Sequence, residues 1–390
     1  MLGISGLTKR PLLAGLAVGA VLLSGCSSSV SSVPTTAVVT TTESPSTTAV
    51  ACSNAKILAG WPTSALSASL IVVPVNDANP QLASPEVSSG AGGVILFGSQ
   101  ATSALSGQLA ALDRANPFGV PPLIMSDEEG GAVQRLASLL GAMPSARTMG
   151  ATLTPSQIRS LAYSYGTKLL AVGVTMDLAP VLDVDGRPGP SATNPDGTRS
   201  FSAIPSVAAA DGVAFADGLK EAGVIPVLKH FPGLGGSSGN TDVAPASTLP
   251  FSELKVTGLI PFEAAIAANL PVIMVSNATV PGLTSQPASL SSIAINYLRN
   301  SLGFKGLVIT DSLSAGAIQQ IGLTVPEATV RAIEAGADMV MYNTLNPMTT
   351  FKDSVAALNQ AVSSGALSRT RLISAVEKIL AARNMDLCAN

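Results

Sequence analysis

Eight short apolar runs are spaced along the chain, at 70–75, 94–97, 123–125, 175–178, 224–228, 272–275, 307–309 and 339–341. Each is followed by a turn or polar cluster and then by a stretch of helical length, among them 158–171, 206–221, 287–302 and 326–335. Apolar runs without polar alternation are the pattern of strands buried on both faces, as in parallel sheets. Strand and helix alternating eight times predict an α/β protein built as a (β/α)8, TIM-barrel-like domain with inserted loops. A doubly wound sheet is the competing architecture. The Gly-x-Gly-x-x-Gly turn that would favour it does not follow the first run.

The chain ahead of these runs reads as an address. Lys9 and Arg10 precede an apolar stretch, 12–23, that ends in Leu23-Ser24-Gly25-Cys26. A basic start, a short apolar core and small residues at a cleavage point describe a secretory signal, residues 1–25. As a helix the stretch would span about 18 Å, too short for a ~30 Å hydrocarbon core. The Leu-Ser-Gly-Cys ending resembles the lipobox of bacterial lipoproteins. That implies acylation of Cys26 and export to the outer face of the cell membrane. Residues 26–51 are dominated by Ser and Thr, with a single charge at Glu43, and are expected to be a flexible tether. The folded domain is then 52–390. Outside the cell disulfides persist, and besides Cys26 only Cys52 and Cys388 remain, one at each end of the domain. A disulfide joining the ends of the barrel is expected, with two free thiols as the alternative.

Composition narrows the chemistry. The chain has 21 basic against 24 acidic residues, one histidine and three cysteines, and is 47% hydrophobic and 12% charged. It offers no basic run as a footprint for nucleic acid, and it excludes a His-rich zinc site or a disulfide-dense scaffold. In a barrel of this kind, reactive residues sit just after strand ends. The scarce charged residues gather there: Asp127-Glu128-Glu129 after the third run, Asp183 and Asp185 after the fourth, Lys229-His230 after the fifth and Asp311 after the seventh. A single Asp in such a place is explained by capping of the next helix. Several together, with the sole histidine among them, predict a polar pocket.

These residues carry a family resemblance. Asp127-Glu128-Glu129-Gly130-Gly131-Ala132-Val133-Gln134-Arg135-Leu136 resembles the signature of family 3 glycoside hydrolases. The segments 179–185, Arg199-Ser200-Phe201, Lys229-His230-Phe231-Pro232-Gly233, 302–306, 308–313 and Ala335-Gly336-Ala337-Asp338 resemble its later blocks, in order. The pattern is most similar to the bacterial β-N-acetylglucosaminidases of that family, including exported lipoproteins of mycobacterial type. The resemblance implies that Asp311 is the nucleophile of a retaining mechanism and that Asp127, Arg135, Arg199, Lys229 and His230 hold the sugar. It implies no cofactor and no metal. The implied partner is a β-linked amino-sugar glycan or muropeptide, and a monomer is expected.

The chain also departs from that pattern. In the family's hexosaminidases a mobile loop ends in Asp-Ser-His, the His serving as general acid/base and the Asp orienting it. Here Leu234 replaces an earlier His of that segment, Asn240 replaces the Asp, and Asp242 stands at the acid/base position. Asn277 stands where a further His is frequent, and Ala132 where Arg is usual. Asp242 is a titratable acid, and carboxylic acids are the usual proton donors of glycosidases. The serine and glycine run 235–239 predicts that this loop, 233–247, is mobile. Three readings stay open: an active β-N-acetylhexosaminidase, a sugar-holding lipoprotein with little or no catalysis, and a metal enzyme using Asp127, Asp183 and Asp185.

Overall fold

The computed structural model describes residues 52–389. The signal segment 1–25 and the tether 26–51, with Cys26, lie outside the described residues. All eight apolar runs form strands: β1 (Ile71–Asn76), β2 (Gly93–Phe97), β3 (Leu123–Ser126), β4 (Met176–Asp177), β5 (Ile225–Phe231), β6 (Val272–Val275), β7 (Leu307–Ser312) and β8 (Met339–Met341). Each pairs in parallel with the next, and β8 pairs back onto β1, so the sheet closes. The architecture is the expected (β/α)8 barrel.

The strands lack alternation because both their faces are covered, one by the barrel interior and one by helices. Val72, Ile95, Ile124, Val227, Ile273 and Ile309 are buried to within 1% of complete. Each such side chain stabilises the fold by roughly 1.5–3 kcal/mol relative to exposure. Around the barrel run helices whose starts are written in the sequence. Pro155–Ala171 opens with a reciprocal capping box between Thr154 and Gln157, and Val325–Ala335 with another between Thr324 and Glu327. Both place Pro in the first turn, where a missing N–H costs nothing. The expected helix 206–221 is Pro205–Glu221.

The expected helix over 287–302 is not continuous. A 3-10 turn, Ala288–Leu290, gives way to a short helix, Ser292–Asn296, and a wider π turn, Tyr297–Ser301. Ser291 breaks it: its backbone is extended, and its Oγ accepts the Ala294 N–H as a fresh N-cap.

The last block of the family pattern serves the barrel rather than the pocket. Buried Asp338, just ahead of β8, accepts the Val308 N–H at 2.9 Å and pairs with Arg371 at 3.1 Å and with Arg299. These bonds tie the entry ends of β7 and β8 together. The chain ends meet as well. Leu387 N–H donates to Asn54 Oδ1 at 2.8 Å, and a disulfide joins Cys52 to Cys388 with Cα atoms 6.0 Å apart.

Candidate active site

The C-terminal ends of the strands enclose a cavity of about 390 Å³ lined by Asp127, Arg135, Arg199, Lys229, His230, Asp242 and Asp311. The barrel therefore brings all seven implied site residues to one place. Asp127 follows β3, and a small hairpin, Glu128–Gly130 against Val133–Gln134, carries the chain onward to Arg135. Lys229 and His230 are consecutive residues of β5, yet both face the cavity. The register of β5 against β6 slips between Leu228 and Phe231, and such an irregularity re-aims side chains.

One wall is a buried ion cluster. Lys229 Nζ lies 2.8 Å from Asp127 Oδ1 and 2.7 Å from Glu129 Oε1. Arg199 grips Glu129 with Nε and a terminal nitrogen at 2.7 and 2.8 Å, and Arg135 reaches Asp127 at 3.3 Å. Burial alone would push both carboxyls up, but the adjacent cations outweigh it and hold Asp127 and Glu129 below the usual carboxylate range. For Lys229, burial pushes down and the two carboxylates more than restore it, so the ammonium stays charged. Glu129 was not among the sugar-binding residues that the family pattern implied. It is the centre of this cluster, fixing both Arg199 and Lys229 by charge-assisted bonds.

His230 is oriented from behind. Its Nδ1 lies 2.6 Å from Asp183 Oδ2, while the backbone N–H groups of His230 and Leu234 donate to the same carboxylate at 3.2 and 2.5 Å. Burial and then the Arg199 charge lower His230 to about 4, so the ring is neutral at pH 7 and Nδ1–H donates to Asp183. Burial raises Asp183 to about 6, and burial together with the Asp183 charge raises Asp196 well above the carboxylate range. No motif or periodicity points to Asp196, which lies in a long loop with no strand to set its register.

Asp183, Asp196 and His230 bring ligand atoms within 4.8 Å of one another, all buried. Three N–H groups already occupy the Asp183 oxygens, whereas both Asp196 carboxyl oxygens are buried with no hydrogen-bond partner among the described residues. The set Asp127, Asp183 and Asp185, expected under the metal-enzyme reading, does not converge. Asp127 is paired with Lys229 and Arg135, whereas Asp185 is paired with Arg187 at 3.1 Å.

Asp311 sits at the end of β7, its Oδ1 accepting the Ser312 N–H at 2.7 Å. Burial raises its pKa, the neighbouring His230 lowers it, and Asp242 raises it again. Asn277, at the position of a frequent family His, does structural work: it accepts from Ser289 Oγ at 2.6 Å and donates to the Ser312 carbonyl at 2.7 Å. The ends of β6 and β7 are thereby tied just beyond Asp311.

The loop 233–247 differs from the mobile segment that its glycines and serines suggested. Gly316 and Ala317 donate backbone N–H groups to the carbonyls of Asp242 and Thr241 at 3.0 and 2.9 Å. Gln320 donates to the Val243 carbonyl at 2.7 Å, and Arg187 to that of Ser237 at 3.2 Å. A Cβ on Gly235 would collide with the Val184 carbonyl, and one on Gly316 with that of Val243. These glycines permit close backbone approach. The result holds Asp242, an exposed residue, at the lip of the cavity, with its N–H bonded to Asn240 Oδ1 at 2.9 Å.

Comparison with known proteins agrees with this geometry. Residues 69–382 match the family described as glycosyl hydrolase family 3 N terminal domain. The chain is 37% identical over 296 residues to the beta-hexosaminidase LpqI of Mycobacterium tuberculosis, covering 74% of each protein. The solved structure of M. tuberculosis LpqI superposes with a TM-score of 0.77 at 35% identity, over 85% of this chain and 96% of that one. A beta-N-acetylhexosaminidase from Beutenbergia cavernae superposes with a TM-score of 0.75 at 29% identity, over 83% and 99%.

Proposed function

Because the chain belongs to glycosyl hydrolase family 3 and is a glycosidase, we propose that it removes terminal β-linked N-acetylhexosamine with retention, through Asp311. The observation that carries this reading is Asp311, at a strand end, sharing one cavity with Lys229, His230 and Asp242. The cation–carboxylate wall supplies donors and acceptors for sugar hydroxyls, each charge-assisted bond being worth about 1.5–3 kcal/mol. Asp311 attacks the anomeric carbon while the bond to the leaving oxygen breaks, giving a covalent glycosyl-enzyme. Asp242 gives its proton to that oxygen. Water then attacks the same carbon, Asp242 takes its proton, and Asp311 is released.

Asp242 takes over the task of the family's histidine. The Gly316 and Ala317 bonds to its loop support this role, since they hold the acid beside the strand that carries the nucleophile. A second reading is favoured by its exposure and by the amide, not carboxylate, two residues upstream: a glycan-holding protein with weak or no turnover. The proposal extends to export and lipid anchoring at Cys26, with peptidoglycan fragments as substrate, supported by Leu23-Ser24-Gly25-Cys26 and by the mycobacterial relatives.

The test uses two substrates, an N-acetylglucosamine disaccharide and an aryl β-N-acetylglucosaminide with a good leaving group. Asp311→Ala should abolish both activities, and wild type should yield a glycosylated Asp311 peptide by mass spectrometry. Asp242→Asn should lose about 10²–10⁴ on the disaccharide while forming the glycosyl-enzyme from the aryl substrate. No turnover of either substrate by wild type selects the glycan-holding reading.

A further inference from the structure

Arg147 stands half-buried in the short helix Ala146–Thr152 and, among the described residues, has no carboxylate within ion-pair distance. Its guanidinium is directed at backbone carbonyls instead. Nε donates to Ser200 at 3.1 Å, and one terminal nitrogen donates to Gly197 at 2.9 Å and to Asp185. The carbonyls of Asp185 and Ser200 accept from no other donor among the described residues. These three acceptors form the neck of one loop. The chain enters it at Asp185 and returns through the 3-10 turn Gly197–Arg199 to Ser200. The Asp185 N–H donates to Ser200 Oγ at 3.1 Å, and that hydroxyl donates to the Asp183 carbonyl at 2.6 Å, so the two ends of the loop lie side by side. The helix is pressed against them: a Cβ on Gly150 would lie 2.5 Å from the Phe201 carbonyl oxygen.

Arg199 emerges from this neck, with one pinned carbonyl two residues before it and another immediately after it. Glu129 holds the tip of Arg199, and Arg147 holds its root. A planar fork spread over three carbonyls fixes a backbone in both position and direction, which the point charge of an ammonium does not. We propose that Arg147 is a positioning residue for sugar recognition, acting through Arg199 by locking the loop neck; this rests on the sugar-holding role of Arg199 given above. Arg147 does not itself line the cavity. A guanidinium placed to balance charge would face a carboxylate, whereas this one faces carbonyls at the root of a cavity-lining side chain.

The experiment measures calorimetric affinity of the full protein for N-acetylglucosamine lactone oxime, a stable mimic of the flattened sugar ring, alongside kcat/KM on an aryl β-N-acetylglucosaminide. The proteins compared are wild type, Arg199→Ala, Arg147→Ala, Arg147→Lys and the Arg147→Ala/Arg199→Ala pair. Arg147→Ala should lose about tenfold or more in affinity, and millimolar guanidinium, but not methylammonium, should recover at least about threefold of it. Once Arg199 is replaced, removing Arg147 should cost less than about twofold, because the residue it acts through is gone. Arg147→Lys keeps the charge and should still lose at least about fivefold, so it carries the same comparison where Arg147→Ala does not fold. Wild-type affinity in either Arg147 variant, or an equal loss with and without Arg199, overturns the proposal. Wild-type affinity in Arg199→Ala overturns the sugar-holding role of Arg199, and the proposal with it. A wild type that binds the oxime yet turns over no substrate overturns the hydrolase reading alone, and the affinity comparison still decides Arg147.

Discussion

Replacing Glu129 by Gln tests whether the ion cluster holds the site together. The Glu129 side chain is 2% exposed and accepts three charge-assisted bonds, two from Arg199 and one from Lys229. Gln keeps the shape but turns one acceptor oxygen into an NH2 that faces a cation. Lys229 then keeps Asp127 as its ion-pair partner, while Arg199 keeps no carboxylate within ion-pair distance among the described residues. Removing one partner of a buried pair typically costs about 3–5 kcal/mol, which for a domain of this size is on the order of 5–10 °C in Tm. The pH dependence follows from the direction of the shift. Glu129 is held below its unfolded pKa of about 4.3, so its stabilisation is complete above that pH and is lost as pH falls towards the folded value. Urea unfolding followed by Trp61, the single tryptophan, stacked on Phe118 at 4.9 Å, reads both effects. The gap between wild type and Glu129→Gln should be full at pH 7 and narrower at about pH 3.5. A gap under about 1 kcal/mol at pH 7, or one that ignores pH, refutes the assignment.

Three further outcomes follow from the same geometry. Glu128 is buried against Ser126, Tyr165 and the Leu136 N–H, and burial raises it to about 7; being raised, it takes stability away as pH climbs from about 4.5 to 7, so Glu128→Gln should gain on wild type between pH 5 and pH 8 in urea midpoints. Cys52→Ser removes the crosslink over a separation of 336 residues and should lower stability by up to roughly 5 kcal/mol, read as the same loss on adding reductant to wild type. Gly316→Ala drives a methyl group into the Val243 carbonyl; it should cost about 1–3 kcal/mol and lower turnover of poor leaving groups more than good ones, which steady-state kinetics on paired substrates would show.

The barrel was legible because its strands are buried on both faces, so each leaves an unbroken apolar run whatever its neighbours are. The end of each run also marked where chemistry would lie, which is why Asp127, Lys229, His230 and Asp311 could be found together. What could not be read depends on contacts distant in sequence. Three acids in a row at 127–129 give no sign that the first lines the cavity, the third pairs with Lys229 and Arg199, and Glu128 turns to Tyr165. Asp196 is brought beside Asp183 and His230 from a loop without periodicity. Gly235 looks like a hinge in one dimension and proves to be a contact point in three. Ser291 carried its own signal, since a Ser inside a helical stretch can cap a new helix as readily as continue an old one.

The Cys52–Cys388 bond makes the domain a covalent ring closed outside the peptide backbone. A protease that cuts any single loop between these cysteines converts the ring into a linear molecule whose halves remain attached, so no fragment can diffuse away. The nicked chain would keep its mass on a non-reducing gel and fall into two bands only with reductant. Proteolytic damage to one loop is thus confined to that loop.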